Sequence, residues 1–151
     1  MRAKLGIDPG LSGAIAVLQD NDELLVVYDM PVMAGTGKRQ QVNAAEIVRI
    51  LSGYEISVAY LERVSAMPGQ GVSSMFSFGT SYGIIIGVLA ALSIPMVLVS
   101  PQTWKAKAGL RGKEKDCART LMQQLYPEAQ LGRKKDIGRA DAIAIARFGG
   151  L

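Results

Sequence analysis

Three short apolar stretches separated only by tight turns occupy the first thirty residues, and they constrain the fold more than any other feature. They cover residues 2–8, 13–19 and 23–30. The turns between them contain Pro9-Gly10 and Asp20-Asn21-Asp22, residue types that favour sharp reversals of the chain. Connections this short join strands that lie side by side, so the pattern predicts an antiparallel meander of three strands.

Strand and helix patterns alternate through the rest of the chain. Residues 31–41 are predicted as a glycine-rich loop, and the order that follows is helix, strand, helix, strand and three helices. The predicted strands cover residues 57–62 and 95–99. The predicted helices cover residues 44–52 after the cap Asn43, then 73–92, 101–104, 113–126 and 140–148. Because there is no internal repeat, low-complexity tract or linker, we expect one α/β domain over residues 1–151.

An uncharged, apolar segment raises the question of a membrane span. No Asp, Glu, Lys or Arg occurs between Arg63 and Lys105, and residues 82–99 are nearly all apolar. Pro95 would break a spanning helix, and the helical part before it is too short to cross a bilayer. We therefore expect a buried helix followed by a buried strand, and no membrane partner.

The composition excludes several classes of catalytic site. The chain has no histidine, which rules out Ser-His-Asp and Cys-His catalysis and histidine-containing zinc sites. Its single cysteine, Cys117, cannot form an internal disulfide and fits a reducing compartment. An enzyme built from this chain would therefore depend on carboxylates, lysines and metal ions.

The positive charge is concentrated in the C-terminal third. Residues 1–101 contain six basic and eight acidic side chains, a balance of −2. Residues 102–151 contain eleven basic and five acidic side chains, a balance of +6. Such a segment fits either a polyanionic partner or a solvated, lysine-rich surface, and charge alone favours neither interpretation.

Two acids stand where predicted strands end. Asp8 ends the first strand and Glu62 ends the fourth, and binding sites in open α/β sheets lie at the carboxyl ends of strands. Asp141 interrupts an otherwise apolar, alanine-rich helix, and Asp136 lies just upstream. Clustered carboxylates repel one another unless a cation lies between them, and two Mg²⁺ ions about 4 Å apart can support phosphodiester hydrolysis. Each acid alone also fits an ordinary role, such as capping a loop or pairing with a neighbouring basic residue.

Short motifs around these acids occur in an informative order. The acidic motifs are Gly6-Ile7-Asp8-Pro9-Gly10, Leu61-Glu62-Arg63 and Arg139-Ala140-Asp141-Ala142. Between them lie Phe78-Gly79-Thr80-Ser81-Tyr82-Gly83 and Val99-Ser100-Pro101-Gln102-Thr103-Trp104-Lys105. Together these motifs resemble the RuvC-type family of Holliday-junction resolvases, and the correspondence spans nearly the whole chain.

The resemblance implies a fold, a reaction and a set of partners. The fold is an RNase H-like α/β fold, with a five-stranded mixed sheet of three antiparallel strands followed by two parallel ones, flanked by helices. The reaction is hydrolysis of a four-way DNA junction by paired, symmetric nicks. It would be carried out by a homodimer with two Mg²⁺ ions per active site, Mn²⁺ as a substitute, and no small-molecule cofactor. A phage or prophage protein in the cytoplasm of a bacterial cell or infected host would suit the short chain.

The same resemblance implies the catalytic metal ligands. Asp8, Glu62 and Asp141 match family ligands. The family usually has a fourth acid three residues before the last aspartate, but Gly138 occupies that position here. Asp136 is the only nearby substitute, and we include it in the predicted catalytic and metal-binding set.

Basic and aromatic residues complete the implied site. Lys105 and Lys115 fall near positions where the family has phosphate-contacting lysines that aid catalysis. Phe76 would stack on a junction base, although a phenylalanine at the head of a buried helix is also a common core residue. The other predicted DNA contacts are Lys38, Arg39, Lys107, Lys113, Arg133 and Lys134.

Small residues follow one face of the predicted helix over residues 73–92. Gly79, Gly83, Gly87 and Ala91 recur every four residues. Such a face allows another backbone to approach closely. It fits packing against the chain's own sheet and, equally, a helix–helix contact across the homodimer, where the family has this helix.

Three other functions fit parts of the sequence. An actin-like or sugar-kinase ATPase shares the fold and a similar Asp-containing turn, but this chain has no room for the second phosphate loop and second domain. An RNA-processing nuclease of the same superfamily fits the same acids. A catalytically inert junction-binding protein fits the missing acid at Gly138.

Overall fold

A computed structural model describes residues 2–35, 37, 39–66 and 68–150 of the chain. Its strands are β1 (Arg2–Asp8), β2 (Ala14–Gln19), β3 (Leu24–Asp29), β4 (Val32–Ala34), β5 (Gln40–Val42), β6 (Glu55–Glu62) and β7 (Met96–Val99). Its α-helices are α1 (Ala44–Leu51), α2 (Val72–Ala91), α3 (Pro101–Lys107), α4 (Lys115–Leu125) and α5 (Ile137–Phe148). Two short 3-10 turns cover Pro127–Ala129 and Lys134–Asp136.

The main sheet has five strands in the order β3-β2-β1-β6-β7. The first three strands pair antiparallel, as the tight turns predict, and Gly13 N donates to the Gly10 carbonyl oxygen at 2.9 Å in the first turn. β6 pairs in parallel with β1, and β7 pairs in parallel with β6. The predicted mixed sheet is therefore confirmed. The carboxyl ends of the neighbouring strands β1 and β6 lie side by side at the same end of the sheet.

Apolar side chains form a core on each face of this sheet. On one face, α1 and α2 contribute the fully buried residues Ile47, Leu51, Ile85 and Leu89. On the other face, α3, α4 and α5 contribute Trp104, Met122, Ala142, Ile143 and Ala146. Because this second core includes α3 and α5, it holds the two helices that carry Lys105 and Asp141.

Glycine at position 6 allows α5 to lie directly on β1. A Cβ atom at Gly6 would overlap the carbonyl oxygen of Ala142 and the backbone nitrogen of Ala146. The helix therefore packs against β1 at backbone distance through its alanine-rich face. This close approach brings Asp141 of α5 toward Asp8 at the end of β1.

The segment predicted as a loop over residues 31–41 instead contains most of a small hairpin. β4 and β5 pair antiparallel over three residues each, and Gly35 N donates to the Arg39 carbonyl oxygen at 2.8 Å. The backbone N–H of Val42 donates to Ser81 Oγ of α2 at 3.4 Å, so the base of the hairpin lies against that helix. Strands of three residues are too short to show a recognisable alternation, which is why the sequence pattern did not indicate them.

The expectation of a buried helix followed by a buried strand is wrong for both elements. In α2, Val72 is 86% exposed and Phe76 is 78% exposed, and the buried residues are Ser81, Ile85, Val88 and Leu89. β7 is an edge strand whose exposed residues are Met96, Val97 and Leu98. The physical reason is geometric, because a helix lying on a sheet buries only one face and an edge strand has a neighbour on one side.

The length of α2 matches that of the predicted helix over residues 73–92, but the expectation that its helical part is too short to cross a bilayer is not supported. The helix contains 20 residues, and by length and composition alone it could cross a membrane. It packs on the five-stranded sheet through Ile85 and Leu89. Core helices of soluble proteins have the same length and composition, so the apolar character of α2 is weak evidence for a membrane span.

Candidate active site

A groove with a volume of about 570 Å³ opens at the carboxyl ends of β1 and β6. Its walls come from the turn after β1, from α3, and from the starts of α4 and α5. The acidic residues that line it are Asp8, Glu62, Glu114 and Asp141. The lysines that line it are Lys105, Lys113, Lys115, Lys134 and Lys135. The fold therefore brings the three acids named from the sequence into one groove with part of the basic C-terminal third.

Asp8 is the last residue of β1, and its half-buried side chain lines the groove. Its Oδ1 atom accepts a long hydrogen bond from Gly10 N at 3.4 Å. Burial raises the pKa of the Asp8 carboxyl, while the Gly10 N–H and the charge of Lys115 act in the opposite direction. The charged form of this acid is therefore costly without a nearby cation.

Glu62 is the last residue of β6 and faces the same groove. Its Oε2 atom accepts a hydrogen bond from Trp104 Nε1 at 2.8 Å. Burial raises the pKa of the Glu62 carboxyl, the Trp104 hydrogen bond opposes this, and the negative charge of Asp8 raises it further. The effect of the Asp8 charge on the pKa of Glu62 indicates that the two carboxyl groups are close enough to interact.

Asp141 lies in the second turn of α5 and completes the acidic cluster. Burial raises its pKa to about 7, and the charges of Asp8 and Glu62 contribute to the increase. The pairing with a neighbouring basic residue that the sequence also allowed for Asp141 does not occur among the described residues. Arg139 Nε donates to Asp29 Oδ1 at 2.7 Å, and no basic side chain in the described part of the chain forms an ion pair with Asp141.

Asp136 does not line the groove, although its position in the sequence predicted a metal ligand. Its side chain is 2% exposed and forms an ion pair with Arg133, whose Nη2 atom donates to Asp136 Oδ1 at 2.8 Å. Arg133 also donates to Asp136 Oδ2 through its backbone N at 2.9 Å and through Nε at 3.1 Å. These contacts occupy both oxygens and hold the pKa of the Asp136 carboxyl below its usual value. We therefore omit Asp136 from the ligand set proposed below.

The donor chemistry of the remaining three acids fits a divalent cation. Asp8, Glu62 and Asp141 supply only oxygen ligands, the type that Mg²⁺ and Mn²⁺ prefer, and the pKa of each is raised mainly by burial. Within the described residues, no three acidic or cysteine side chains are already gathered closely enough to hold an ion. Uncompensated carboxylates repel one another, so binding an ion would require these three to draw together.

The predicted DNA-contacting residues fall into two groups. Lys105, Lys113, Lys115 and Lys134 line the groove, and the ammonium of Lys105 lies 5.5 Å from the centre of the Trp104 ring. Lys107, Arg133 and Arg39 lie outside it; Arg133 pairs with Asp136, and Arg39 belongs to the connection between β4 and β5. Phe76 is exposed on α2 beside that hairpin rather than in the groove. Lys38 lies outside the described residues.

Sequence reasoning missed three residues that line or support the groove. Lys135 and Glu114 line it, and the sequence signal for both was only their place in a charged segment. Trp104 binds Glu62 directly. In the sequence, Trp104 is recognisable only as the single tryptophan, immediately before Lys105, and that position fits an ordinary core residue equally well.

Comparison with solved structures identifies the fold. The chain resembles Thermus thermophilus RuvC, with a TM-score of 0.60 and 14% identity over 95% of this chain and 90% of that chain. It also resembles T. thermophilus RuvC in complex with Holliday junction substrate, with a TM-score of 0.64 and 14% identity over 97% of this chain and 90% of that chain. No family model and no curated protein sequence matches. The chain, with its five-stranded mixed sheet, therefore shares the fold of RuvC, an RNase H-like α/β fold.

Proposed function

We propose that this protein is a metal-dependent endonuclease that resolves four-way DNA junctions. The observation that carries the proposal is the groove at the carboxyl ends of two parallel strands, which is lined by Asp8, Glu62 and Asp141 together with five lysines. Carboxylates suit the metal ions of phosphodiester hydrolysis, and lysines suit the phosphate backbone of nucleic acid. The likeness in fold to a RuvC that was solved with a Holliday junction supports the same substrate class.

Asp8, Glu62 and Asp141 would hold the divalent ions, with Mg²⁺ as the expected metal and Mn²⁺ as a substitute. Such ions would supply activation of the attacking water and charge stabilisation at the leaving oxygen. Lys105 and Lys115 lie near the acids, since both lower the pKa of Glu62 and of Asp141 by their charge. Their role is to neutralise the charge that develops on the scissile phosphate.

The nucleic acid would extend from this groove into a second cleft. That cleft has a volume of about 610 Å³ and shares Glu62, Pro101 and Lys115 with the groove. It continues past Arg63 toward Phe78 at the foot of α2. A continuous channel of this kind suits a strand that passes over the acids, with Lys113 and Lys134 contacting its phosphates. Arg39, beside the hairpin, stays a predicted DNA contact, and Lys38, outside the described residues, stays one from the sequence alone.

A homodimer would supply two such sites to one junction. The glycine face of α2 supports this, because Gly79, Gly83 and Gly87 have open space where a side chain would be. These glycines therefore do not pack against the protein's own sheet, and the face they form is available to a second copy. A two-fold dimer places two equivalent sites opposite the two equivalent strands of a junction. The proposed setting is the cytoplasm, with residues 1–151 acting as one nuclease domain.

The proposal is tested with labelled substrates in parallel. A four-way junction, a duplex, single-stranded DNA and an RNA–DNA hybrid are each incubated with Mg²⁺, with Mn²⁺ and with EDTA. We expect paired nicks in the junction alone, dependent on the metal. Asp8→Asn should abolish cleavage and leave junction binding intact, because it removes a ligand charge without changing side-chain size.

Asp20→Asn is the matched control, since Asp20 is exposed in the turn after β2. It should bind and cut as the wild type does. Cleavage of the hybrid in preference to the junction would indicate an RNA-processing nuclease instead. Junction binding without cleavage in either metal would indicate an inert binding protein.

A further inference from the structure

Trp104 is the largest side chain in the core beneath the groove, and it is completely buried. It belongs to α3, which Ser100 caps by accepting a hydrogen bond from Thr103 N at 3.1 Å, with Pro101 in the first turn. These features hold the short helix in one orientation at the end of β7. The capped helix and the surrounding core therefore both restrict the orientation of the indole ring.

The only polar atom of this side chain points at the acidic cluster. A buried indole N–H requires a hydrogen-bond acceptor, and the acceptor here is Oε2 of Glu62, 2.8 Å from Nε1. The two residues are 42 positions apart in the sequence, so the contact exists only through the packing of α3 on the sheet. A hydrogen bond to an ionised carboxylate is stronger than one between neutral groups, and its donor in this case cannot move away.

We propose that Trp104 is a positioning residue that orients the Glu62 carboxylate for metal binding. Its N–H holds Oε2, and the second oxygen of Glu62 is left for a divalent cation in the groove. The inference rests on the metal site of the proposed function, but it concerns how one ligand is held rather than which substrate is cut. The face of the same ring lies 5.5 Å from the Lys105 ammonium, so one core residue supports two groups of the site.

The test measures metal binding without DNA and without catalysis. Mn²⁺ is titrated into wild type and Trp104→Phe, and free Mn²⁺ is followed by electron paramagnetic resonance. Phenylalanine keeps an aromatic face in the core and removes the N–H. Loss of a partner that orients a metal ligand typically reduces metal affinity by about 10- to 100-fold, and we expect a loss in this range. Junction affinity in EDTA should change less than about twofold, because Trp104 is buried beneath the DNA-facing surface.

The control separates orientation of Glu62 from general damage. Trp104→Phe is combined with Glu62→Ala, which removes the carboxylate that Trp104 is proposed to orient. The double variant should bind Mn²⁺ as weakly as Glu62→Ala alone, since no carboxylate remains to be oriented. An equal additional loss in both backgrounds would overturn the proposal, because it would show that the ring supports the fold as a whole. Unchanged Mn²⁺ affinity in Trp104→Phe would overturn it as well.

A second replacement covers the case in which Trp104→Phe does not fold. Benzothienylalanine, introduced at position 104 by codon reassignment, keeps the bicyclic shape and has sulfur in place of the N–H. The same loss of about 10- to 100-fold is expected, and unchanged affinity would again contradict the inference. If Mn²⁺ binding by the wild type depends on Glu62 and on its orientation by Trp104, but the protein cuts no junction, the proposed function fails while this inference stands.

Discussion

Gly138, in the first turn of α5, lies against the carbonyl oxygen of Ser12 in the turn after β1. A Cβ atom at position 138 would overlap that oxygen and crowd the Gly13 backbone. The position at which the resemblance led us to expect a fourth acid therefore has no space for any side chain in this backbone. The contact also ties the start of α5, and with it Asp141, to the turn that follows Asp8.

Any side chain at position 138 should consequently lower stability. We expect Gly138→Ala and Gly138→Asp to reduce the free energy of unfolding in urea by about 1–3 kcal/mol, the usual cost of overpacking. Gly132→Ala is the control, since a Cβ there meets open space. Gly138→Asp should also fail to raise the cleavage rate. A stable Gly138→Asp variant that cuts faster than wild type would show that the turn after β1 can move to admit a fourth ligand.

Asp136 should prove structural rather than metal-binding. Asp136→Asn removes a charge that accepts three hydrogen bonds from Arg133, and we expect it to lower the free energy of unfolding by about 1–3 kcal/mol. Its lowered pKa means that this stabilisation is present above the ordinary aspartate pKa and is lost as the pH falls below it. Mn²⁺ affinity should stay within about twofold of wild type.

The control for Asp136 is Asp116→Asn, which breaks a similar pair with Arg119 in which the carboxylate is more exposed. Because an exposed carboxylate in an ion pair contributes less to stability, this variant should lose clearly less stability than Asp136→Asn in the same urea experiment. A tenfold loss of Mn²⁺ affinity in Asp136→Asn, at unchanged stability, would show that Asp136 is a metal ligand after all.

Asp141 should make the metal-free protein less stable as the pH rises. Its pKa of about 7 in the folded protein exceeds the ordinary value of 3.8, so the folded state keeps a proton that the unfolded state releases. The stabilisation is complete below the ordinary value and is lost as the pH rises through about 7, by up to about 4 kcal/mol. Asp141→Asn should flatten this decline, measured by urea unfolding in EDTA at several pH values. An equally steep decline in the variant would assign it to other groups.

The groove lysines should separate into catalytic and electrostatic contributors. Lys105→Ala and Lys115→Ala should lower the single-turnover cleavage rate of saturated complex with little change in affinity, as expected for groups that act on the transition state. Lys134→Ala and Lys107→Ala should leave that rate unchanged. Each should reduce the slope of log junction affinity against log salt concentration by about one unit. If Lys105→Ala and Lys115→Ala both cut at the wild-type rate, the two lysines contact phosphates without contributing to catalysis.

The glycine face of α2 should mediate dimer formation. Gly83→Leu places a bulky side chain in open space, so the variant should fold normally and shift the protein toward monomer in sedimentation experiments. Gln124→Leu, at an exposed position of α4, is the control for added apolar surface and should leave the assembly unchanged. A wild type that is monomeric at micromolar concentration would contradict the dimer.

Much of this architecture follows from local patterns in the sequence. The alternation of apolar residues and the turn residues Pro9-Gly10 and Asp20-Asn21-Asp22 predicted three antiparallel strands, because turn geometry and strand periodicity depend on residues close together in the chain. The ends of strands are recognisable in the same way, so the sequence alone places Asp8 and Glu62 at the carboxyl-terminal ends of strands. Asp141 stood out as a lone charge in an apolar helix.

Other features depended on contacts between distant residues. The sequence could not show that α2 exposes its glycine face, because an apolar helix has the same composition whether one face or all of it is covered. Asp136 and Asp141 are five residues apart, yet only the packing of α5 on β1 at Gly6 directs one to the groove and the other to Arg133. The contact between Trp104 and Glu62 likewise arises where α3 meets the sheet. The sequence by itself thus determined which of the longer elements form and which acids end the strands, because those are local properties. Only the tertiary structure decided which side chains meet, because that depends on how closely the helices approach the sheet.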